Sequence, residues 1–583
     1  MFGKIRYIDD VTVVVEINKE NMVVPNLMNM HVVFENDEDK LLGEVKKADE
    51  ETVRIDLLGQ FVGDRFIAGT IKKPTLDSKT RIINDDELKI ILGTNNEDNV
   101  YLGKSAIYNQ DVFMNINDMF SNHLAIFGNT GSGKSCSVAR IVQNIFQNKN
   151  FLTFNANLFV FDAYGEYKTA FKELSQINPN YQYKFITSNP TEENDVLLRI
   201  PVFLLTIDDI CLLLQADNHH QYTIIERTLK LAKLFSKDDE DTKRLKNHLI
   251  AKAIMTVLFS NQNAAGKKND IFTIIADCST PEFNVNTDIQ GIGYTRKFSE
   301  CFGIDRNGEF AESVLINEYL LKFIDDDIEA RMEVPAQAFY TLDDLERAMS
   351  FTLIGDGFLG NRIMQDNAVI MQVRLHALTN SNNKKFFDIP NYITLENYIS
   401  SLIVYNNKRS QIININLEDV DDILAKTMVK IFCKMIFDFS KRRKQRAAIP
   451  FHLFIEEAHR YVVSDNDQFL LGYNIFERIA KEGRKYGVML DLISQRPVEI
   501  SETVIAQMSN FCILKMTHPR DLDYINKMLP NISGDIVEKL TSLQSGTMVA
   551  FGNAFKIPVI VKMDMPNPAP YSSNCDVKNR WKA

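Results

Sequence analysis

Gly128-Asn129-Thr130-Gly131-Ser132-Gly133-Lys134-Ser135 matches the pattern G-x-x-x-x-G-K-[ST] at every fixed position. The residues before it, His123 to Phe127, form a short apolar run that reads as a buried strand. After it, Cys136 to Phe146 places Val138, Ile141, Val142, Ile145 and Phe146 at helical spacing. A strand–loop–helix order is the context in which this pattern cradles phosphate. Glycine lets the backbone turn tightly with its N–H groups inward, and the helix N-terminus adds partial positive charge. Lys134 can reach the β- and γ-phosphates, and Ser135 can hold Mg²⁺. Gly128 through Cys136 is therefore the expected binding segment for a nucleoside triphosphate, with ATP and Mg²⁺ as cofactors. The fold class that follows is α/β.

The chain has 583 residues, too many for one core, so several domains are expected. Hydrophobic residues make up 45% and charged residues 25%, ordinary proportions for a globular protein. The net charge of −11 excludes a global basic field, so any nucleic-acid contact must be local. Seven cysteines, none in a C-x-x-C pair, fit free thiols better than a disulfide or zinc framework. The charged start MFGKIRYIDD does not read as a signal peptide. No run approaches the ~18 apolar residues of a membrane span. A cytoplasmic protein without membrane contact is the expectation.

Residues 1 to about 75 read as short strands: Val11–Ile17, His31–Phe34, Gly43–Val45, Thr52–Leu57 and Phe66–Ile71. Polar turns such as Asn18–Asn21 and Asn36–Asp39 separate them. This texture suggests a small β-barrel, with Pro74 and the polar stretch Asp77–Asp86 as its exit. It holds no catalytic cluster, which points to docking or assembly. Residues from about 205 to 350 have helical periodicity and few strand signals, and read as a helical insertion. The strand–helix rhythm returns from Ala368. Gln411–Asn416 reads as a strand and Asp421–Phe439 as an amphipathic helix, ending in Lys441-Arg442-Arg443-Lys444-Gln445-Arg446. That run reads as a solvated helix end whose cations favour the helix dipole, in preference to a nucleic-acid contact.

Phe451-His-Leu-Phe-Ile455 then delivers Glu456 and Glu457 to a strand tip, where open α/β sheets bind ligands. Glu456 is the candidate for the Mg²⁺ shell, and Glu457 for polarising the water that attacks the γ-phosphate. Asp162, ending Leu158–Asp162 with Glu166 four residues on, is the competing acid and ranks second. The strand Val488–Ile493 ends in Ser494-Gln495-Arg496-Pro497, where the Gln495 amide can sense the γ-phosphate. Gly546–Gly552 and Ile557–Val561 read as a closing hairpin, and the residues after Met565 as an extended tail.

These segments, together with Glu482-Gly-Arg-Lys-Tyr-Gly487, occur in an order that resembles the HerA branch of the HerA/FtsK family of hexameric DNA-translocating ATPases. The resemblance implies a RecA-like P-loop NTPase core with an N-terminal small β-barrel and a helical insertion. Its expected parts are a barrel over 1–75, core over 76–204 and 356–565, insertion over 205–355 and tail over 566–583. It also implies a homo-hexamer with ATP sites between subunits and DNA in the central channel. A nuclease or other effector, NurA-type or sirtuin-like, would dock on the barrel, in DNA end processing or anti-phage defence. By motif, Lys134 and Ser135 are the Walker A pair, Glu456 and Glu457 Walker B, and Gln495 is sensor-like. Arg484 is the match to the arginine supplied by a neighbour. Two motifs depart from the family pattern: Glu456 stands where Asp is usual, and Ala163-Tyr164 stands where Pro-His is commoner. The alternative to a translocase or helicase is an ATP-dependent scaffold that organises an effector with little translocation. A small-molecule kinase would use only the phosphate loop and leave Gln495 and Arg484 unexplained.

Overall fold

A computed structural model describes residues 2–17, 26–69, 71–355, 362–465, 467–528, 534–572 and 577–582. The expected turn at Asn18–Asn21 and parts of the tail lie outside these residues. The chain divides into two compact units. One comprises Met1–Val196, Ile399–Asp465 and Tyr473–Ala583; the other comprises Leu197–Tyr398 and Asn466–Gly472.

The first unit begins with seven strands: β1 (Phe2–Ile8), β2 (Thr12–Ile17), β3 (His31–Glu35), β4 (Lys40–Ala48), β5 (Thr52–Val62), β6 (Arg65–Ala68) and β7 (Lys79–Ile82). Their order is β1-β2-β5-β4-β3-β7, with β6 on β5. Alternation along β5 sends Val53, Ile55 and Leu57 inward, onto Val13, Val15, Val32, Phe34 and Val45. Each such side chain contributes about 1.5–3 kcal/mol by leaving water. Among the described residues no pairing joins β1 to β7. The sheet also runs past residue 75: Lys79–Ile82, expected as a polar exit, instead pairs antiparallel with β3. Arg81 there is drawn in by Glu35 and Glu87.

The remaining strands before residue 200 are β8 (Asn99–Ser105), β9 (Asp111–Asn115), β10 (Leu124–Phe127), β11 (Leu158–Asp162), β12 (Tyr183–Thr187) and β13 (Val196–Leu197). The second unit carries a hairpin, β14 (Asp288–Gly291) with β15 (Tyr294–Lys297). A small hairpin follows, β16 (Val404–Tyr405) with β17 (Lys408–Arg409). Then come β18 (Ile412–Asn416), β19 (Phe451–Ile455), β20 (Val488–Ser494), β21 (Asn510–Leu514), β22 (Thr547–Gly552) and β23 (Val559–Lys562).

Twelve of these strands form one sheet in the order β13-β12-β18-β11-β19-β20-β10-β21-β22-β23-β8-β9. From β12 to β21 the pairings are parallel. From β21 to β9 they are antiparallel. Strands β11 and β19 are buried along their whole length, which is why both read as unbroken apolar runs. The helix Lys134–Gln147 packs Val138, Ile141, Val142 and Phe146 into the same core, and its Asn144 amide donates to the Tyr101 carbonyl at 2.9 Å.

The second unit is built from helices, among them His219–Phe235, Glu240–Leu258, Leu342–Leu353 and Arg362–Thr379. It is wider than the span 205–355 expected from periodicity, because residues 362–398 pack within it rather than with the sheet. Caps account for several starts: Asp239 accepts from the Thr242 amide at 2.8 Å, and Thr341 with Asp344 forms a capping box. Phe283 anchors an aromatic cluster with Phe298, Tyr319 and Phe323, whose rings lie 4.7–6.0 Å from it.

Candidate active site

Parallel register brings four strand tips to one edge. Phe127 is level with Ser494, and Ile455 with both Leu492 and Phe161. The residues that follow each tip thus share that edge: the phosphate loop after β10, Glu456 and Glu457 after β19, Gln495 after β20, and Glu166 shortly after β11. Gly131 and Gly133 have φ of +76° and +98°, so the loop's inward turn needs glycine there. Beyond the loop, Ser545 donates to the Gly131 carbonyl at 3.0 Å and the Gly546 amide to the Ser132 carbonyl at 2.9 Å.

Lys134 is desolvated within the site, and burial pushes its ammonium pKa down against the pull of Glu457, Glu456 and Glu166. Its Nζ donates to the Asn129 carbonyl at 3.3 Å, a contact within its own loop. The loop is tied across the edge at two points. Thr130 donates to Gln495 Oε1 at 2.6 Å, and Asn129 Nδ2 to the Thr517 hydroxyl at 2.6 Å.

The acids divide into distinct roles. Asp162 is spent on structure: its carboxylate accepts from the Glu166 and Tyr167 amides at 3.0 and 2.9 Å and from Asn414 Nδ2 at 3.1 Å. Glu456 is 4% exposed and leans toward β11, its Oε2 accepting the Ala163 amide at 3.2 Å. Burial first, then the nearby Asp162 and Glu166, raises its pKa well above the ordinary carboxylate value. Glu457 is 8% exposed, and its Oε2 accepts no hydrogen bond. His459 Nδ1 stands 3.2 Å away, but it is aligned on the Ser494 hydroxyl at 3.1 Å, and burial favours its neutral form. Burial also raises the Glu457 pKa, opposed by Lys134, Arg460 and a hydrogen bond from Gln495. Its backbone has φ +48°, ψ +46°, a left-handed conformation uncommon outside glycine.

Glu166 is the site residue that sequence reasoning undervalued. Burial raises its pKa, a hydrogen bond with Ser135 opposes the rise, and its Oε2 has no partner. The signal was present in its distance of four residues from Asp162, but the turn that folds it back onto Ser135 depends on Asp162 capping the Glu166 and Tyr167 amides. Crowded carboxylates beside a serine hydroxyl are a donor set suited to a hard divalent cation, whose charge would offset the burial that raises their pKa values. Among the described residues, no group of three or more His, Cys, Asp or Glu side chains is arranged to hold a metal ion.

Arg484 lies elsewhere. It is exposed in the turn Gly483–Tyr486, just before β20 begins, and its charge acts on His123, just before β10 begins. Those are the N-terminal ends of strands whose C-terminal ends carry Gln495 and the phosphate loop. Arg484 is therefore a strand's length from the nucleotide site of its own chain.

A phosphate loop on a parallel sheet, faced by a strand-tip Glu-Glu pair and a strand-tip amide, defines a P-loop NTPase core. Residues 100–282 match the family model described as "Helicase HerA, central domain". The chain is 34% identical over 195 residues to the DNA double-strand break repair helicase HerA of Saccharolobus solfataricus, covering 33% of this chain and 39% of that protein. It is 24% identical over 517 residues to the protein of the same name from Sulfolobus acidocaldarius, covering 87% of this chain and 77% of that one. The chain thus spans about two fifths of the first curated relatives it matches (39% in each). Among solved structures, VirB4 of Thermoanaerobacter pseudethanolicus superposes with a TM-score of 0.47 at 13% identity, over 82% of this chain and 99% of that one. No helix of the described residues is long and apolar enough to cross a membrane.

Proposed function

We propose that this protein is an ATP-driven DNA translocase or helicase working as a homo-hexameric ring. The curated relatives are named as HerA helicases of double-strand break repair, which supports DNA as substrate. The observation that carries the ring is the position of Arg484. The phosphate loop, Glu456, Glu457 and Gln495 share one sheet edge, while Arg484 is exposed at the other. In a ring the Arg484 side chain reaches the neighbouring subunit's nucleotide, where a trans arginine raises hydrolysis ~10³–10⁵-fold in well-characterised NTPases.

Within each site the loop from Gly128 to Cys136 binds the triphosphate. Lys134 neutralises the transferring γ-phosphoryl, and Glu457, with one free buried oxygen, accepts the proton of the attacking water. Gln495 orients that carboxylate and reports on the γ-phosphate. Ser135, with Glu456 and Glu166 around it, would hold Mg²⁺, which supplies charge neutralisation of the β- and γ-phosphates. The N-terminal strands close as a barrel in the ring and form a collar on which an effector, a nuclease or sirtuin-like protein, docks at the pore mouth. The setting is cytoplasmic, in DNA end processing or anti-phage defence.

The test is DNA-stimulated ATP hydrolysis and strand displacement by the purified protein, together with its mass in solution. Hexamers whose hydrolysis rises with DNA and stops in Glu457→Gln support the reading. Hydrolysis indifferent to DNA, with no displacement, would instead favour a scaffold that organises its effector.

A further inference from the structure

The helix Asp422–Arg442 runs out into Lys441-Arg442-Arg443-Lys444-Gln445-Arg446, which the sequence alone presents as a solvated helix end. The fold places this run against the turn that carries Arg484 and Lys485. Lys441 Nζ and the Arg446 guanidinium both lie over the Tyr486 ring, 5.9 and 5.6 Å from its centre. Tyr486 is itself held edge-on by Phe437 at 5.7 Å. The outgoing chain then passes Gly487, where a Cβ would meet the Ala447 Cα at 3.0 Å and the Ile449 carbonyl at 3.2 Å. Only glycine, at φ +78°, lets the two segments approach so closely.

The result is a patch of seven exposed cations: Lys441 to Lys444, Arg446, Arg484 and Lys485. Glu482 is the one carboxylate in the two segments, 441–446 and 481–487. None of the seven is ion-paired among the described residues; the contacts of Lys441, Arg443 and Arg446 are with aromatic rings. On a chain of net charge −11, seven unpaired cations on one face are a local reversal of sign. Cations stacked on rings are also positioned in advance, which lowers the entropic cost of meeting an anion. The patch lies at the N-terminal ends of β19 and β20, away from the chain's own phosphate loop, so it does not serve that nucleotide. Arg484 in trans would use one of the seven, and a single triphosphate does not need the rest.

We infer that the face built from Lys441–Arg446 and the Lys485–Tyr486 turn is a nucleic-acid backbone contact. It takes the phosphates of DNA independently of base sequence, with Tyr486 as the platform that holds its cations. This rests on the reading above that DNA is the substrate.

The test uses the full chain. Binding of a short labelled duplex is measured between about 50 and 200 mM salt, for the wild type and for the combined variant Lys441→Ala, Arg442→Ala, Arg443→Ala, Lys444→Ala, with thermal melting as the control for folding. Loss of four phosphate contacts should flatten the log–log salt slope by up to ~3–4, since each contact contributes about 0.9. Lys441→Arg with Lys444→Arg, which keeps the charge, should keep the slope. An independent measurement needs no variant: Lys441, Lys444 and Lys485 of the wild type should become protected from an amine-acetylating reagent when duplex is added. If the wild type binds DNA while the combined variant keeps its slope, or the three lysines stay reactive, this surface is overturned and the functional reading stands. If the combined variant loses affinity for phosphatidylserine vesicles and not for DNA, the surface is a lipid contact and the inference is wrong. If the wild type binds no DNA, the functional reading fails, and this surface with it.

Discussion

The Thr130 hydroxyl donates to Gln495 Oε1 at 2.6 Å, although the two residues are 365 positions apart. With its carbonyl taken by Thr130, the Gln495 amide nitrogen is left for the Glu457 carboxylate, whose pKa a Gln495 hydrogen bond lowers. One side chain thereby joins the phosphate loop to the proposed general base. Gln495→Ala should lower kcat by about 10²–10³-fold, the range for removing one preorganised donor, with nucleotide affinity close to wild type. Thr130→Val should lower kcat in the same direction and Thr130→Ser should restore it, because only the hydroxyl is used. Steady-state ATPase rates beside equilibrium binding of a fluorescent nucleotide distinguish the two effects.

Asp162 and Glu457 should behave differently when made neutral. Glu457→Gln removes the proton acceptor and should reduce turnover by ~10²–10⁴-fold while nucleotide still binds. Asp162→Asn keeps the shape but weakens the grip on the Glu166 and Tyr167 amides. Its main effect should be a lower melting temperature, with turnover falling less than in Glu457→Gln. Equal losses of turnover without loss of stability would return Asp162 to the chemistry.

The trans role of Arg484 has a test by mixing. Arg484→Ala subunits and Glu457→Gln subunits should each be nearly inactive. Co-assembled, they create some interfaces that carry both groups, so ATPase activity should reappear and depend on the mixing ratio. A fully active monomer would end the argument for a shared site.

Much of this site could be read from the chain because each part is a local pattern: the phosphate loop, the Phe451–Glu457 strand with its acids, and the Val488–Gln495 strand. The strand order could not be read. β18 lies between β11 and β12, and β20 separates β10 from β19, because parallel pairings are set by long crossovers with no local signature. β7 was missed because Lys79–Ile82 carries two cations, and only Glu35 and Glu87 draw Arg81 to the sheet. The tail was expected to be extended, with no contacts assigned to it. In the structure Pro568 and Ala569 accept from Gln143 and Thr169, and the Tyr571 amide donates to the Glu166 carbonyl at 2.8 Å. A Pro- and Asn-rich stretch gives no hint that its backbone will be used in this way.

Acid should weaken the join between the N-terminal sheet and the first core helix through Glu87. This carboxylate, in the helix Asp85–Leu92, is 4% exposed. It accepts from Arg81 Nη2 at 2.6 Å and meets Lys40 Nζ at 2.5 Å. Burial opposes its charge, but Arg81, the Asn84 amide and Lys40 prevail and hold the folded pKa at about 2, against an ordinary 4.5. A pKa depressed on folding stabilises fully above about pH 4.5 and loses that stability as pH falls toward about 2. Arg81 and Lys40 remain partly solvated, so the contribution is about 1–2 kcal/mol. Glu87→Gln should lose that amount at pH 7 and flatten the stability profile between about pH 5 and 2, as read by urea unfolding at stepped pH. An unchanged slope would show that the ion pairs contribute nothing net.

Glu457 combines a strained backbone with a buried carboxylate oxygen that has no hydrogen-bond partner, and both are costs the fold carries at the proposed catalytic position. A left-handed conformation costs a residue with a Cβ about 1–2 kcal/mol relative to glycine. The unpartnered oxygen adds a desolvation cost of similar size, about 1–3 kcal/mol. Glu457→Gly removes both, so this variant should melt at a higher temperature than the wild type while hydrolysing no ATP. Glu457→Ala separates the contributions: it removes the carboxylate but keeps the Cβ, and should fall between the two. Adding nucleotide sharpens the comparison, because ligand binding to the folded state raises the melting temperature of every variant that keeps the phosphate loop intact. A Glu457→Gly protein that still binds nucleotide but melts below the wild type would show that Glu457 holds the edge together, and that its conformation is not strain held for chemistry.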